Sequence, residues 1–455
     1  MEKQTAVPKL KTMEDAIPKG FISKAHNVSL EEINSSVTIP KNANFLKKLL
    51  AFMGPGSLVA VGYVDPGNWA TSIAAGSRYG YSLLAVVLLS SVLAMMFQEI
   101  SARLGIATNM DLAQATRATV SKPIAFFLWI LTELAIMATD IAEVIGSALA
   151  LNLLFRIPLI VGVVITTADV FLLLLLQKKG FRWIESIVGV LMFSIFGIFF
   201  YEMLMASPNW GPLLQGYLPT TEIISNHGML FLSLGILGAT VMPHNLYLHS
   251  SIIQSRDYER TEAGKKEAVK FAKIDSVLSL SGAFVINSLI LIVGAAAFHG
   301  LNENVGALED AYKLLSPTLG AAAASSLFAV ALLCSGQNST ITGTLSGQIV
   351  MEGFIHLRMK PWLRRMITRI LAIIPVFIVT LLAGESGTES LLIWSQVILS
   401  LQLPFALIPL LKITSDKNKM GSLVNSRLQK VLSWAATCVI IVLNIFLVVS
   451  ILSKL

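Results

Sequence analysis

A segment long enough to cross a membrane is interrupted by a short polar stretch, Asp65-Pro66-Gly67-Asn68. The surrounding apolar residues run from near Leu46 to about Ile73. A helix cannot pass this point undisturbed, because proline has no N–H to donate and glycine costs about 1 kcal/mol relative to alanine. A carboxylate at bilayer depth is expensive and marks a functional site, and unwound backbone is tolerated there only inside protein or beside a cavity.

A second interruption, Met242-Pro243-His244-Asn245, lies in another apolar segment and aligns with the first. Both breaks have proline and asparagine in the same register. Paired breaks in corresponding places of two halves are typical of transporters built from inverted repeats, with the substrate bound at the breaks. Two simple proline kinks are the alternative, but kinks alone explain neither the carboxylate of Asp65 nor the imidazole of His244.

The composition predicts an all-α polytopic membrane protein. Hydrophobic residues make up 55% of the 455 positions and charged residues 13%, whereas soluble domains have about 25% charged residues. The net charge of +7 is expected to reflect basic cytoplasmic loops rather than binding to nucleic acid. The two cysteines, Cys334 and Cys438, lie in apolar segments and predict no disulfide framework.

The hydropathy pattern predicts eleven membrane spans after a cytoplasmic, largely disordered tail at residues 1–45. The spans are placed near 46–75, 80–102, 123–151, 157–177, 184–206, 227–254, 275–298, 321–348, 367–383, 389–411 and 432–452. One alternate set of loops holds most of the basic residues, which places the N-terminus in the cytoplasm and the C-terminus outside the cell membrane.

The two broken segments divide the predicted spans into two groups of five. Residues 46–206 form the first repeat with helices one to five, and residues 207–411 form the second with helices six to ten and the extracellular loop before them. An odd number of spans inverts the second copy, which predicts a LeuT-type five-plus-five fold with broken first and sixth helices. Residues 412–455 add a cytoplasmic loop and an eleventh helix.

The residues at the breaks predict a site for a divalent transition metal. Asp65 offers a hard anionic oxygen, Asn68 an amide oxygen and Met242 a soft thioether sulfur. Backbone carbonyls are freed one turn before each proline, at Gly62 and Ala239. A thioether favours softer ions such as Mn²⁺ or Fe²⁺ over Mg²⁺ and Ca²⁺. A gap-filling core role is the alternative for Met242.

Three carboxylates in the third predicted span share one helix face: Glu133, Asp140 and Glu143. They are too costly to face lipid, and Arg369 in the ninth span is their expected partner. A structural ion-pair network and a proton relay both fit this pattern. His244 titrates nearest neutrality and is expected to handle protons or to have a structural role.

The two break motifs resemble those of the Nramp family (natural resistance-associated macrophage proteins). The resemblance covers nearly the whole chain from about Leu46, including the stretch from Glu133 to Glu143 and Ser400-Leu401-Gln402-Leu403-Pro404-Phe405. It implies the LeuT fold and proton-coupled uptake of Mn²⁺ and Fe²⁺, with related ions such as Co²⁺ and Cd²⁺ also carried.

The resemblance also implies which residues form the site. It places Asp65, Asn68, Met242 and the carbonyl of Ala239 at the metal, and Gln396 at a position that joins the ion in some states. It favours a proton relay that runs from Asp65 along the carboxylate face towards the cytoplasm. The expected partners are metal ions, protons and the lipid bilayer, with no cofactor and no obligate protein partner.

Two other classes of function are open at this point. A sodium-coupled carrier of small organic molecules keeps the fold, but such a site usually lacks a carboxylate like Asp65 at its first break. A membrane-embedded enzyme requires a catalytic pair or a His-Glu-x-x-His helix, and the sequence contains no such zinc motif and no nucleotide-binding loop. The sequence therefore favours a transporter rather than an enzyme.

Overall fold

The computed structural model describes residues 21, 29–31, 33–40, 43–166, 181–300 and 308–452. The secondary structure is almost entirely helical. The elements are β1 (Val37–Thr38), α1 (Phe45–Phe52), α2 (Pro55–Gly62), α3 (Pro66–Tyr79), α4 (Leu84–Thr108), α5 (Leu112–Arg117), α6 (Lys122–Phe155), α7 (Leu159–Ile165), α8 (Phe181–Ala206), α9 (Trp210–Gln215), α10 (Glu222–Ser225), α11 (His227–Thr240), α12 (Pro243–Ile252), β2 (Arg256–Asp257), α13 (Glu262–Phe298), α14 (Leu308–Leu319), α15 (Ala324–Ile355), α16 (Pro361–Thr414), α17 (Lys417–Met420) and α18 (Arg427–Leu452).

The chain is a multi-pass membrane protein. Within the described residues, seven helices are long and apolar enough to cross a membrane, or eight if the bent pair α1 and α2 counts as one span. Helix α15, which corresponds to the eighth predicted span, is largely buried inside the bundle. Helix α7 covers the start of the fourth predicted span, and residues 167–177 of that span lie outside the described part.

The helical assignment of α16 joins the ninth and tenth predicted spans, where the sequence predicted a loop. Arg364 near one end contacts Glu133, and Gln402 near the other end contacts the adjacent Thr132, both in α6. In a straight helix these two residues of α16 would lie about 57 Å apart. The helical run therefore folds back on itself, and the two spans cross in opposite directions.

The first predicted span starts with a separate short helix. Residues Phe45–Phe52 form the separate helix α1, which is bent by 45° from α2. Phe45, Leu46 and Leu50 of α1 are more than half exposed, whereas most of α2 is buried. Gly54 makes the bend between the two helices with a φ of 139°, which side chains rarely tolerate.

Both predicted breaks are present in the structure. Helix α2 ends at Gly62 and α3 begins at Pro66, with Asp65 as its N-cap. Helix α11 ends at Thr240 and α12 begins at Pro243, with Met242 as its N-cap. The half-helices α2, α3, α11 and α12 pack against one another, which brings the two breaks together in the interior.

A described part of the tail at residues 1–45 packs against the helices, whereas the sequence predicts that this tail is largely disordered. Residues 29–31 and 33–40, called the N-terminal strap below, pack on the helical bundle. Val37 and Thr38 pair in parallel with Arg256 and Asp257 of β2, and the backbone N–H of Leu30 donates to Glu352 Oε2 at 3.0 Å. Leu30 is buried although the tail is polar overall.

Candidate metal site and the polar face of α6

Asp65 lies at the first break, where its side chain caps the second half-helix. The carboxyl Oδ1 accepts a hydrogen bond from the backbone N–H of Asn68 at 2.9 Å, as N-cap residues commonly do. The second oxygen, Oδ2, is 3.4 Å from Gln396 Nε2. Asp65 is fully buried, so its charge is in the interior, at the positive end of the α3 dipole.

Asn68 is held at the first break by its amide nitrogen. Its Nδ2 donates to the backbone carbonyl of Tyr63 at 2.6 Å, which leaves Oδ1 as the acceptor end of the amide. The only described donor near this oxygen is the Ser72 hydroxyl, at a long 3.5 Å. The Asn68 oxygen therefore keeps capacity to bind a cation.

The second break contributes a carbonyl and a thioether. Ala239 O lacks the usual donor one turn ahead, because residue 243 is proline. Met242 is fully buried, and its sulfur accepts a contact from Asn245 Nδ2 at 3.6 Å. The same Asn245 nitrogen is 3.5 Å from the carbonyl of Val59 in α2, so this side chain links the two breaks.

Gln396 of α16 reaches the first break across the α3 backbone. A Cβ atom added to Gly67 would lie 1.8 Å from Gln396 Nε2, so only glycine leaves room for this side chain. Gln396 Oε1 is buried and has no hydrogen-bond partner among the described residues. The structure thus brings Asp65 and Gln396 together, as expected from the sequence.

The arrangement offers mixed ligands rather than an acidic cluster. No group of three or more His, Cys, Asp or Glu side chains in the described residues could hold a metal ion. The candidate donors are instead one carboxylate, one amide oxygen, one carbonyl and one thioether. A buried site with a single anion and a sulfur suits a divalent transition metal better than Mg²⁺ or Ca²⁺, which prefer all-oxygen ligands.

On the α6 face, Glu133 pairs with Arg364 rather than with Arg369. Arg364 Nη2 lies 2.8 Å from Glu133 Oε2 and 3.1 Å from Oε1. Trp129 Nε1 also donates to Glu133 Oε1 at 3.1 Å. The guanidinium packs so closely on Gly347 of α15 that a Cβ there would lie 1.7 Å from Arg364 Nη1. The expectation that Arg369 serves the whole face is therefore wrong for Glu133.

Arg369 contacts the two deeper residues of the α6 face, Asp140 and Glu143. Its Nη1 lies 3.6 Å from Glu143 Oε2 and 3.4 Å from the backbone carbonyl of Asp140. Ser339 and Thr340 of α15 donate to the two carboxyl oxygens of Glu143 at 2.9 and 3.1 Å. Arg369 and Glu143 are fully buried. Their mutual attraction must therefore compensate for the hydration that both charges lose.

His244 lies between the candidate metal site and the α6 face. The imidazole is buried, and neither ring nitrogen has a hydrogen-bond partner among the described residues. Asp140 is the acidic group that interacts with it electrostatically. His244 directly follows Pro243 of the second break, so it is well placed between the site and the carboxylates of α6.

Several polar residues around the first break were not singled out from the sequence. Gln98 of α4 donates to the Tyr63 hydroxyl at 2.5 Å and lies 3.0 Å from Nδ1 of His249, to which the sequence assigned no role. Asn287 and Ser335 donate to backbone carbonyls at the break. Their only signal in the sequence is a polar side chain within an apolar span, and such residues are common in this chain.

The fold and the site together define a membrane transporter in which two broken helices enclose a small polar site. The chain shares its fold with Mhp1, a nucleobase-cation-symport-1 family transporter: the two superpose with a TM-score of 0.62 over 93% of each chain, at 14% sequence identity. The LeuT-type fold class predicted from the sequence is thereby confirmed.

The chain belongs to the Nramp family, since residues 56–450 match the model of the natural resistance-associated macrophage protein-like family. It is 61% identical to a divalent metal cation transporter MntH of Listeria monocytogenes, over 93% of this chain and 95% of the relative. A protein of the same name from Latilactobacillus sakei is 56% identical, over 94% and 95% of the two chains. The manganese transporter of Eremococcus coleocola has a similar crystal structure, with a TM-score of 0.86 and 46% identity over 92% of this chain and 90% of that one.

Proposed function

We propose that the protein imports divalent transition-metal ions, Mn²⁺ or Fe²⁺ with related ions such as Co²⁺ and Cd²⁺, together with protons by alternating access. The observation that carries this proposal is the convergence of Asp65, Asn68 and Met242 at two facing helix breaks. The names of the MntH relatives and of the Eremococcus coleocola manganese transporter support the same substrate class. The chain then acts as a transporter with no enzymatic activity and no resident cofactor.

In this proposal the ion is held by oxygen and sulfur ligands from both breaks. Asp65 supplies the negative charge, Asn68 Oδ1 and the carbonyl of Ala239 supply neutral oxygens, and Met242 supplies the sulfur. Gln396 joins the ion through Oε1 when the site is closed, since this buried atom has no other partner among the described residues. Selectivity over Mg²⁺ and Ca²⁺ follows from the thioether.

The proposed proton path starts at Asp65 and continues through His244 to the α6 face. Asp140, Glu143 and Glu133 follow on that face. Arg369 Nη1 lies 3.6 Å from Glu143 Oε2. Movement of Arg369 would change whether Glu143 is ion-paired or protonated. The ion-pair network and the relay are compatible here, because buried carboxylates with movable partners are the usual components of proton relays in membranes.

We further propose that the N-terminus lies in the cytoplasm and the C-terminus outside the cell membrane. The support is the excess of basic residues in one alternate set of loops. The strap, the α12–α13 connection and the end of α15 all lie on the same side of the bundle. Metal ions, protons and lipid are then the partners, and no obligate protein partner is required.

The test is uptake into liposomes that contain the purified chain and a pH indicator. Mn²⁺ uptake with acidification of the lumen is expected, and uptake of Ca²⁺ and Mg²⁺ is expected to be much weaker. Asp65→Ala should abolish both the uptake and the acidification while the protein still elutes as a folded species. Wild-type Mn²⁺ uptake by this variant would place the site elsewhere, and uptake without acidification would remove the proton-coupling part of the proposal.

A further inference from the structure

The carbonyl of Tyr63, inside the first break, accepts two hydrogen bonds. Asn68 Nδ2 donates to it at 2.6 Å and Asn287 Nδ2, from α13, donates at 2.9 Å. Both asparagine side chains are buried. A carbonyl oxygen has two lone pairs, so the hydrogen-bonding capacity of this oxygen is filled by protein donors.

The next carbonyl along the break, that of Val64, is occupied in the same way. Trp69 Nε1 donates to it at 3.1 Å, and the hydroxyl of Ser335 in α15 donates to it as well. Trp69 is held by edge-on ring contacts with Phe199 and Phe328, whose centroids lie 4.7 and 5.5 Å away. This donor is therefore rigidly placed.

These four hydrogen bonds occupy two buried backbone oxygens that an ion at the break could otherwise bind. Ca²⁺ takes about six to eight oxygen ligands and tolerates irregular geometry, so free carbonyls at a helix break would suit it well. With Tyr63 O and Val64 O occupied, the first break offers the side-chain oxygens of Asp65 and Asn68 and a single backbone oxygen, that of Gly62, which Pro66 leaves without its helical donor. A softer ion that takes the Met242 sulfur as a ligand loses less binding energy when these two oxygens are occupied.

We propose that Asn287, Ser335 and Trp69 are positioning residues that determine selectivity by withholding these carbonyls from the ion. The proposal rests on the proposed function, because it assumes that a divalent metal binds between the breaks. It adds a second basis for rejecting Ca²⁺, separate from the sulfur of Met242. It also explains why polar side chains from α13 and α15 point at a break to which neither helix belongs.

The experiment measures Mn²⁺ uptake in liposomes against increasing Ca²⁺ for the parent, Ser335→Ala and Asn287→Ala. Each alanine variant frees one of the two lone pairs of a carbonyl, which is expected to lower the Ca²⁺ concentration for half-inhibition about two- to tenfold, the effect of one hydrogen bond. Ser335→Thr keeps the hydroxyl and should restore the parent value. Ser346→Ala is the matched control, because this buried serine of the same helix donates only to the carbonyl of Thr342, at 2.7 Å.

A purely structural role predicts a different pattern. Reduced Mn²⁺ uptake with unchanged Ca²⁺ competition in Ser335→Ala and Asn287→Ala would overturn the proposal. Failure of the parent to take up Mn²⁺ would instead overturn the proposed function. If the alanine variants do not fold, Trp69→Phe decides the question, since it removes the N–H and keeps an aromatic ring between Phe199 and Phe328.

An independent set of contacts links the N-terminal strap to helix α2. Arg256, whose backbone pairs with Val37 of the strap, has a buried side chain that donates to the carbonyls of Phe52 and Met53 at 3.1 and 2.9 Å. These carbonyls form the turn before α2, and the same guanidinium lies 2.7 Å from Glu185. The strap is therefore attached to one of the residues that hold the N-terminal end of α2.

We infer that the strap stabilises the conformation in which the path to this side of the membrane is closed. Asp65 and Met242 are fully buried, so release of an ion requires a half-helix to move. Helix α2 is short and leads directly to the first break, and Arg256 resists its displacement. Leu30, bonded to Glu352 of α15, ties the strap to a second helix of the bundle.

The test uses the full-length chain with Cys334 and Cys438 replaced by serine and a single cysteine at Ser57 of α2. Leu30→Asp places a carboxylate in a buried position beside Glu352 and should release the strap, so maleimide labelling at position 57 should become several-fold faster. Ser36→Asp is the control, because this strap residue is exposed and lies outside the pairing with β2. Equal labelling rates in the parent and both variants would overturn the inference, as would equal acceleration by both. Val37→Pro supplies a second way to release the strap if Leu30→Asp does not fold.

Discussion

Replacing Met242 with alanine should change which ions the protein carries more than how fast it carries Mn²⁺. The substitution removes the thioether and leaves three oxygen donors, from Asp65, Asn68 and Ala239, with space for water. Cd²⁺ is the softest of the candidate ions, so its uptake should fall about tenfold, which corresponds to about 1.4 kcal/mol. Mn²⁺ uptake should fall by less, because its oxygen ligands remain.

The same substitution also leaves a cavity. Met242 is fully buried, and truncation of a buried methionine to alanine costs about 2–5 kcal/mol of stability. Met351→Ala provides the control, because Met351 is also buried but lies in α15 near its end. Both variants should lose thermal stability, whereas only Met242→Ala should change the order of ion preference.

The assay is uptake of Mn²⁺, Cd²⁺ and Ca²⁺, each alone and in competition, at equal amounts of reconstituted protein. We expect Ca²⁺ to compete with Mn²⁺ in Met242→Ala and not in the parent or Met351→Ala. If Met242→Ala still ignores Ca²⁺ and loses no more Cd²⁺ than Mn²⁺ uptake, the sulfur is not a ligand. Met242 would then be a core-filling residue.

Three further predictions follow from the described contacts. Gly347→Ala should unfold the protein at a lower temperature than the parent, because its methyl group would overlap Arg364; unchanged thermal unfolding would contradict the packing. Glu143→Gln should keep Mn²⁺ binding and weaken proton flux, as measured by lumen acidification per metal ion; an unchanged ratio would favour a purely structural ion pair with Arg369. Burial raises the pKa of Asp111, which lies between the spans, to about 6, so the folded state binds its proton more tightly than the unfolded state and loses stability as the pH rises from about 4 to 6. Asp111→Asn keeps the α5 cap and should remove this loss of stability. The thermal stabilities of parent and variant should therefore diverge between about pH 4 and 6, and parallel curves would refute the role of Asp111.

The two breaks could be predicted from the sequence because proline acts locally. Pro66 and Pro243 each remove a hydrogen bond within their own helix, whatever surrounds them. Asp65 and Met242 sit directly before these prolines, so their place at the breaks follows from chain order alone. The membrane class and most span positions follow equally from composition, because about 20 apolar residues are needed to cross a bilayer.

Contacts between distant residues could not be predicted in this way. Glu133 pairs with Arg364 and not with Arg369 because of the relative position of α6 and α16, which no local sequence pattern predicts. The same applies to Ser335, whose hydroxyl meets the Val64 carbonyl across a large sequence separation. The packed N-terminal strap is another case, since its polar composition is typical of disorder and its contacts with β2 and Glu352 join distant parts of the chain.

The most direct test of the account is the position of the ion itself. Anomalous diffraction from crystals grown with Mn²⁺ should show one strong peak between the two breaks, within coordination distance of the Asp65 carboxylate and the Met242 sulfur. The same crystals of Asp65→Ala should lack this peak. A peak at another carboxylate group, such as Glu309 or Glu389 at the cavity beside α14, with none between the breaks, would contradict the account.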